Sequence, residues 1–227
     1  MIRLLVRIFY YLNLLWVRAL LMLVTSRDVQ GRENVPRKGP LIVASNHLSN
    51  GDPPILTVAI PRQIAWMAKA EWFKTPVIGR LFRMAGMIPV RRFEADLQAL
   101  RRSQQVLRAG GALAMFPEGT RGGDKGLRAG EPGTALIALR TGTPIVPIAI
   151  WGTEHVKLPR DVVRRTRAHV RFGKPFTLEA SSRRITREDV ARGTETIMRE
   201  IAALLPERYR GVYAETPARE EAAATKE

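Results

Sequence analysis

No cysteine occurs among the 227 residues. Disulfides, thiolate metal sites and cysteine nucleophiles are therefore excluded, and the absence suits the cytosolic side of a membrane. Histidine is scarce, with three in the chain, so few side chains suit base chemistry near neutral pH. Aromatics make up only 7%, and they do not interleave with the basic residues as in nucleic-acid modules. Acidic side chains are outnumbered, 21 against 37 Lys and Arg, for a net charge of +16. Such a chain seeks anionic partners: nucleic acid, lipid headgroups, phosphorylated substrates or an acidic protein. With no nucleic-acid motif present, nucleic acid is not the expected partner. A dense basic patch at 157–171, with Lys157, Arg160, Arg164, Arg165, Arg167 and Arg171, reads equally well as a solvated face or as a docking surface.

Long apolar runs are also missing. The most apolar segment, residues 1–26, has at most ten consecutive residues without charge, 8–17, where a membrane-spanning helix needs roughly 20. No small-residue cleavage site comes after it, so a secretory signal is not expected. On a helical wheel at ~100° per residue, Arg3, Arg7 and Arg18 fall within roughly 60° of one another. A helix lying in the membrane interface turns such a stripe toward the headgroups, and Trp16, Tyr10 and Tyr11 suit the same depth. Residues 1–26 are therefore read as a membrane-associated helix, with a tilted span and a buried core helix as the other readings.

Beyond residue 26, strand and helix alternate. Strands are expected at 41–45, 63–69, 87–90, 112–116, 144–150 and 168–172. Helices are expected at 53–60, opening on two prolines and stopped by Pro61, at 76–86, at 94–109, closed by Gly110 and Gly111, and at 134–140. A last helix runs to about Leu205 from a Thr186–Asp189 capping box. The length suffices for one domain with a real core. No internal repeat is visible. The expected architecture is α/β: a single domain, 27–213, with a mixed, largely parallel sheet flanked by helices, and a tail at 214–227 too poor in apolar residues to fold.

Three polar clusters each come directly after an expected strand. His47 and Asp52 succeed 41–45, Arg91 and Arg92 succeed 87–90, and Pro117, Glu118, Gly119, Thr120 and Arg121 succeed 112–116. If these strands are parallel, a base, a carboxylate and several cations converge at one sheet edge, where ligands of open α/β sheets gather. Five residues on one helix are separated by roughly 140°, so His47 and Asp52 can meet only through a turn, which Ser49, Asn50 and Gly51 supply. Asp52 also precedes Pro53 and suits the cap of helix 53–60. Backbone N–H groups of the FPEGTRGG turn can cradle an anion, and Arg121 can grip a phosphate. The plainer reading is a charged loop with a Glu118–Arg121 pair. His155 and His169 read as structural.

NHLSNGDPP, GMIPVRR, FPEGTR and TPIVPIAI, in this order, resemble the four motifs of the glycerophospholipid acyltransferases, and LPERYRGVY is similar to the end of bacterial members. The resemblance covers about 30–213. It implies an α/β acyltransferase fold, no metal and no resident cofactor, and a membrane-bound N-terminal segment, which with the net charge of +16 is expected on the cytoplasmic face. It also implies His47 and Asp52 as catalytic residues, with Arg91, Arg92, Glu118, Gly119, Thr120 and Arg121 at the substrate. Its reaction is transfer of a fatty acyl group to 1-acyl-glycerol-3-phosphate, making phosphatidic acid. The implied partners are anionic membrane lipids, a lysophospholipid acceptor, and acyl-CoA or an acidic acyl-carrier protein as donor. Two places depart from the pattern. Arg91 stands where many members have an acid, which makes Arg92 the match to the motif arginine. Glu131 stands where many have a basic residue, with Arg128 and Lys125 the nearest substitutes.

Overall fold

The computed structural model describes residues 25–91, 96–155 and 166–215. Their framework is one seven-stranded sheet: β1 (Thr25–Gln30), β2 (Leu41–Ser45), β3 (Ile64–Lys69), β4 (Ile88–Val90), β5 (Ala112–Met115), β6 (Ile145–Trp151) and β7 (Thr166–Phe172), in the order β1-β7-β6-β2-β5-β3-β4. Strands β2 to β6 are mutually parallel, β7 is antiparallel to β6, and β1 is parallel to β7. The expected mixed, largely parallel sheet is present. The carboxyl ends of β2, β3, β4, β5 and β6 consequently share one edge. Because β1 and β7 run the other way, β1 begins at that same edge, with Thr25 opposite Thr166.

Five α-helices accompany the sheet: α1 (Asp52–Ala59), α2 (Pro76–Met84), α3 (Leu97–Arg108), α4 (Gly133–Thr141) and α5 (Arg187–Leu204). The central strands are buried on both faces, as continuous apolar runs require. On one face Ile42, Ala44, Leu113 and Ile145 meet Leu107 of α3, Ala135 of α4 and Ile197 of α5. On the other, Leu41, Val43, Ala114 and Ile148 meet Ile55 and Leu56 of α1. Local signals set the helix ends. Asp96 caps α3 by accepting from Ala99 N–H at 2.9 Å, so that helix starts later than expected. The Thr186–Asp189 capping box opens α5 as expected. The Asp189 carboxyl is held well below the usual range, first by the Thr186 N–H and then by Ser181.

Strand β1 was not expected, and it corrects the limit of the N-terminal segment: Thr25 and Ser26 pair with Thr166 and Arg167 rather than ending a helix. With one apolar residue in TSRDVQ, β1 is held instead by cross-strand polar pairs, Asp28 with His169 at 3.2 Å and Gln30 with Arg171 at 3.0 Å. The rest of the expected membrane helix, Arg92, most of the basic patch and the tail from 216 onward lie outside the described residues. Among the described residues no helix is long and apolar enough to cross a membrane.

Gly152, just past β6, has φ +83, and a Cβ there would collide with the Arg167 carbonyl oxygen. Both the left-handed backbone and the clash oppose a side chain. Gly152→Ala should cost about 2 kcal/mol or more in chemical denaturation. An unchanged midpoint would show that this turn is less constrained than its geometry.

Candidate active site

The loop after β2 is built around a buried carboxylate. Asp52 is the first residue of α1, one place later than a cap, and its side chain makes no capping bond to that helix. It turns back onto the loop instead. Its Oδ2 accepts from Leu48 N–H at 2.6 Å and Ser49 N–H at 2.8 Å, and its Oδ1 from the Thr153 hydroxyl at 2.5 Å. With donors on these sides Asp52 is an acceptor throughout. The Ser49 hydroxyl adds a longer bond to Oδ1 at 3.4 Å, and the remaining partner, His47 Nδ1 at 2.8 Å, must therefore carry the proton, which leaves Nε2 as the basic nitrogen. Asp52 is fully buried and His47 only 7% exposed. The imidazole stacks on Phe116 with centroids 4.0 Å apart and planes 12° apart, and Phe116 stacks in turn on Trp66.

Neighbouring strands lock this loop. The Asn46 amide pairs with the Ile150 backbone of β6, donating to its oxygen and accepting from its N–H, both at 2.8 Å. His47 N–H donates to Glu118 Oε1 at 2.8 Å, and Gly122 N–H donates to His47 O at 2.8 Å. The loop after β5 is thus fastened to both sides of the histidine.

The clusters foreseen in the sequence meet at this edge with different surroundings. Glu118 does not pair with Arg121. It is buried, and its second oxygen accepts from Arg128 N–H at 3.0 Å, so both oxygens hold loop backbone. Gly119, with φ +65, and Thr120 carry the next turn. Arg121 is exposed, and its Nη1 donates to Asn50 Oδ1 at 3.2 Å. Arg91 lines the cavity and donates its backbone N–H to Asp96 at 2.9 Å. His169 stacks on Trp151 with centroids 4.9 Å apart, on β7, two strands away from β2.

A cavity of about 560 Å³ opens beside His47. Its walls are largely apolar, among them Met67, Val90, Leu100, Phe116 and Ile137, with Arg91, Asp96, Glu131 and Thr134 as polar exceptions besides His47. Thr153, Asn46 and Phe116 were not picked out from the sequence. Thr153 succeeds the carboxyl end of a parallel strand, as the other clusters do, and that placement was the available signal.

Burial pushes the Glu118 carboxyl up to about 7 from 4.5, against the pull of the His47 and Arg128 N–H groups. A carboxyl raised in this way binds its proton more tightly when folded. Its contribution to stability is complete below 4.5 and is lost as pH rises through about 7. The stability of Glu118→Gln relative to the unaltered chain should therefore improve by a few kcal/mol across this window. Urea unfolding at a series of pH values measures it, and a difference independent of pH would contradict the burial argument.

A family model described as Acyltransferase matches residues 26–151, more than half of the chain. A chloroplastic 1-acyl-sn-glycerol-3-phosphate acyltransferase of Brassica napus is 32% identical over 148 residues, 63% of this chain and 42% of that protein. The 1-acyl-sn-glycerol-3-phosphate acyltransferase of Borreliella burgdorferi is 29% identical over 143 residues, 62% of this chain and 55% of that protein. The match thus spans about half the length of these curated relatives. The crystal structure of the 1-acyl-sn-glycerophosphate acyltransferase PlsC from Thermotoga maritima superimposes with a TM-score of 0.61 at 30% identity, covering 79% of this chain and 75% of that one. Together with the ordered motifs at one sheet edge, these matches show that the chain belongs to the acyltransferase family.

Proposed function

We propose that the protein is an O-acyltransferase that moves a fatty acyl group from a thioester to the free hydroxyl of 1-acyl-glycerol-3-phosphate, giving phosphatidic acid. The observation that carries this reading is the buried His47–Asp52 pair at the wall of an apolar cavity. An alcohol is a weak nucleophile, and a base must take its proton during attack. His47 Nε2 takes that proton as the hydroxyl oxygen bonds to the thioester carbonyl carbon. Asp52 stabilises the imidazolium, as the aspartate of a triad does, with the substrate hydroxyl in place of serine. Collapse of the tetrahedral intermediate breaks the C–S bond, and the imidazolium returns its proton to the departing thiolate. The chain has no cysteine, and the thiolate leaves readily, so no acyl-enzyme is required.

The apolar walls suit an acyl chain, and Arg91, Arg92 and Arg121 are the proposed holders of the acceptor phosphate. The donor is acyl-CoA or an acidic acyl-carrier protein. The enzyme is proposed to sit monotopically on the cytoplasmic face of a membrane, where both lipids reside. Extracting a lipid into water costs ~0.8 kcal/mol per exposed CH₂, which an enzyme seated at the bilayer avoids. In support, β1 begins with Thr25 at the edge that carries His47, and the sequence before it is apolar. The net charge of +16 favours anionic lipid.

An acyl-transfer assay of the purified chain in lipid, across lysophospholipid acceptors and both donors, tests the reading. Phosphatidic acid from 1-acyl-glycerol-3-phosphate is the expected main product. Release of free fatty acid at the same rate without acceptor would make it a hydrolase, and no turnover with any pair would leave a lipid-binding protein. His47→Ala should lower turnover roughly 10²–10⁴-fold with the fold intact, and near-normal turnover would remove His47 from the chemistry.

Thr153 acts through Asp52. Thr153→Val leaves Oδ1 without its hydroxyl donor and should lower kcat about tenfold, the effect of losing ~1.4 kcal/mol of positioning. KM should be unchanged, and Thr153→Ser should restore the rate. Equal losses in the Val and Ser variants would assign Thr153 to packing alone.

A further inference from the structure

Seven large hydrophobic residues stand exposed among the described residues, and four of them fall between β3 and β4: Trp72 (49% exposed), Val77 (70%), Leu81 (43%) and Met84 (39%). At ~100° per residue, Val77, Leu81 and Met84 lie within roughly 60° of one another on α2. The opposite side of this helix is already satisfied. Phe82 packs edge-on against Phe73 at 5.6 Å, and Gly79 lies so close to Phe73 that a Cβ would collide with its carbonyl oxygen. The outer stripe is therefore not the core face of a misplaced helix but a second apolar face with no described residue over it.

Its border is cationic. On the wheel Arg80 borders the stripe on one side, with Arg83 further round the same side and donating to the Phe73 carbonyl at 2.9 Å, and Lys74 is two positions from Trp72, all three exposed. Between positions 62 and 91 there are six Lys or Arg and a single acid, Glu71. An apolar arc with tryptophan at one end and cations along its side fits the boundary between headgroups and acyl chains. A second protein would not require that one-sided charge.

The stretch is also placed at the site. Trp72 lies just past the carboxyl end of β3, the edge that carries His47, and Met67 of β3, Val90 of β4 and Leu97 of α3 line the cavity at that edge. Leu97 is itself 61% exposed.

We propose that residues 70–84 form a ledge that docks on an anionic lipid bilayer, with Trp72, Val77, Leu81 and Met84 entering the interface and Lys74, Arg80 and Arg83 meeting the headgroups. The ledge rests on the reading of the chain as an enzyme working at a bilayer. It sets the cavity mouth against the membrane, so that a lipid passes between the two without crossing water.

The absence of cysteine allows a single labelling site. The full chain carrying Leu81→Cys, labelled with an environment-sensitive fluorophore, is mixed with vesicles of phosphatidylcholine and phosphatidylglycerol. The expected result is a blue shift, with quenching by lipids brominated in their acyl chains. The same label at Arg140→Cys, exposed at the end of α4 on the far edge, should remain in water. A label at position 81 that stays in water while the chain co-sediments with vesicles overturns the ledge. So does burial of the label without lipid: dependence on protein concentration would assign the stripe to a second copy, and independence to another part of the chain. A shift only with acidic acyl-carrier protein would assign it to the donor. Acyl transfer is measured on the same samples. Normal transfer with a water-exposed label would sink the ledge alone, whereas a lipid-buried label with no transfer to any lysophospholipid would sink the proposed activity alone.

Discussion

A carboxylate sealed from water has to be met by donors, and Asp52 is met from two separate parts of the chain. Leu48 and Ser49 reach it from the loop after β2, His47 from the start of the same loop, and Thr153 from beyond β6. Removing a charge from water costs several kcal/mol, and each hydrogen bond to a charged acceptor returns roughly 1.5–3 kcal/mol. The loop can therefore relax in no direction without stranding the charge. The turn at Gly152, the parallel register of β2 with β6, and the prolines that start α1 immediately after Asp52 are all conditions for those donors to arrive together.

Glu118 performs a related task for the neighbouring loop at greater risk. Its oxygens draw the His47 and Arg128 backbones together, but burial works against its ionised form. The two carboxylates share the region under His47, and the charge of Asp52 adds a further upward push on Glu118. A chain poor in acids has thus placed two of them where both define the loops around one imidazole.

Much of this was legible in the sequence, for identifiable reasons. The strands from 41 to 150 are short apolar runs punctuated by Gly and Pro, and once they are parallel the polar clusters after them must share an edge. The capping box of α5 is a local signal and was readable as such. Strand β1 was not, because an edge strand with one apolar residue has no hydrophobic period to detect. Asp52 had two readings, cap or imidazole partner, and only the path of the backbone through Ser49–Gly51 separates them. Thr153 lies 101 positions from Asp52, and no local pattern spans that interval. Glu118 and Arg121 read as a pair within a charged loop, but the turn at Gly119 sends their side chains to different partners, one buried and one at the surface.

The stack of His47 on Phe116, continued by Trp66, bears on time as well as on position. An exposed side chain hops between rotamers in picoseconds to nanoseconds. A ring tethered at Nδ1 and covered on one face has nowhere to hop. For a base held in this way, waiting does not arise from its own reorientation. On the proposed reading, the interval between productive events belongs to the lipids, to how long each takes to slide into the cavity and to leave it, and the clock of the reaction would run at the pace of the membrane.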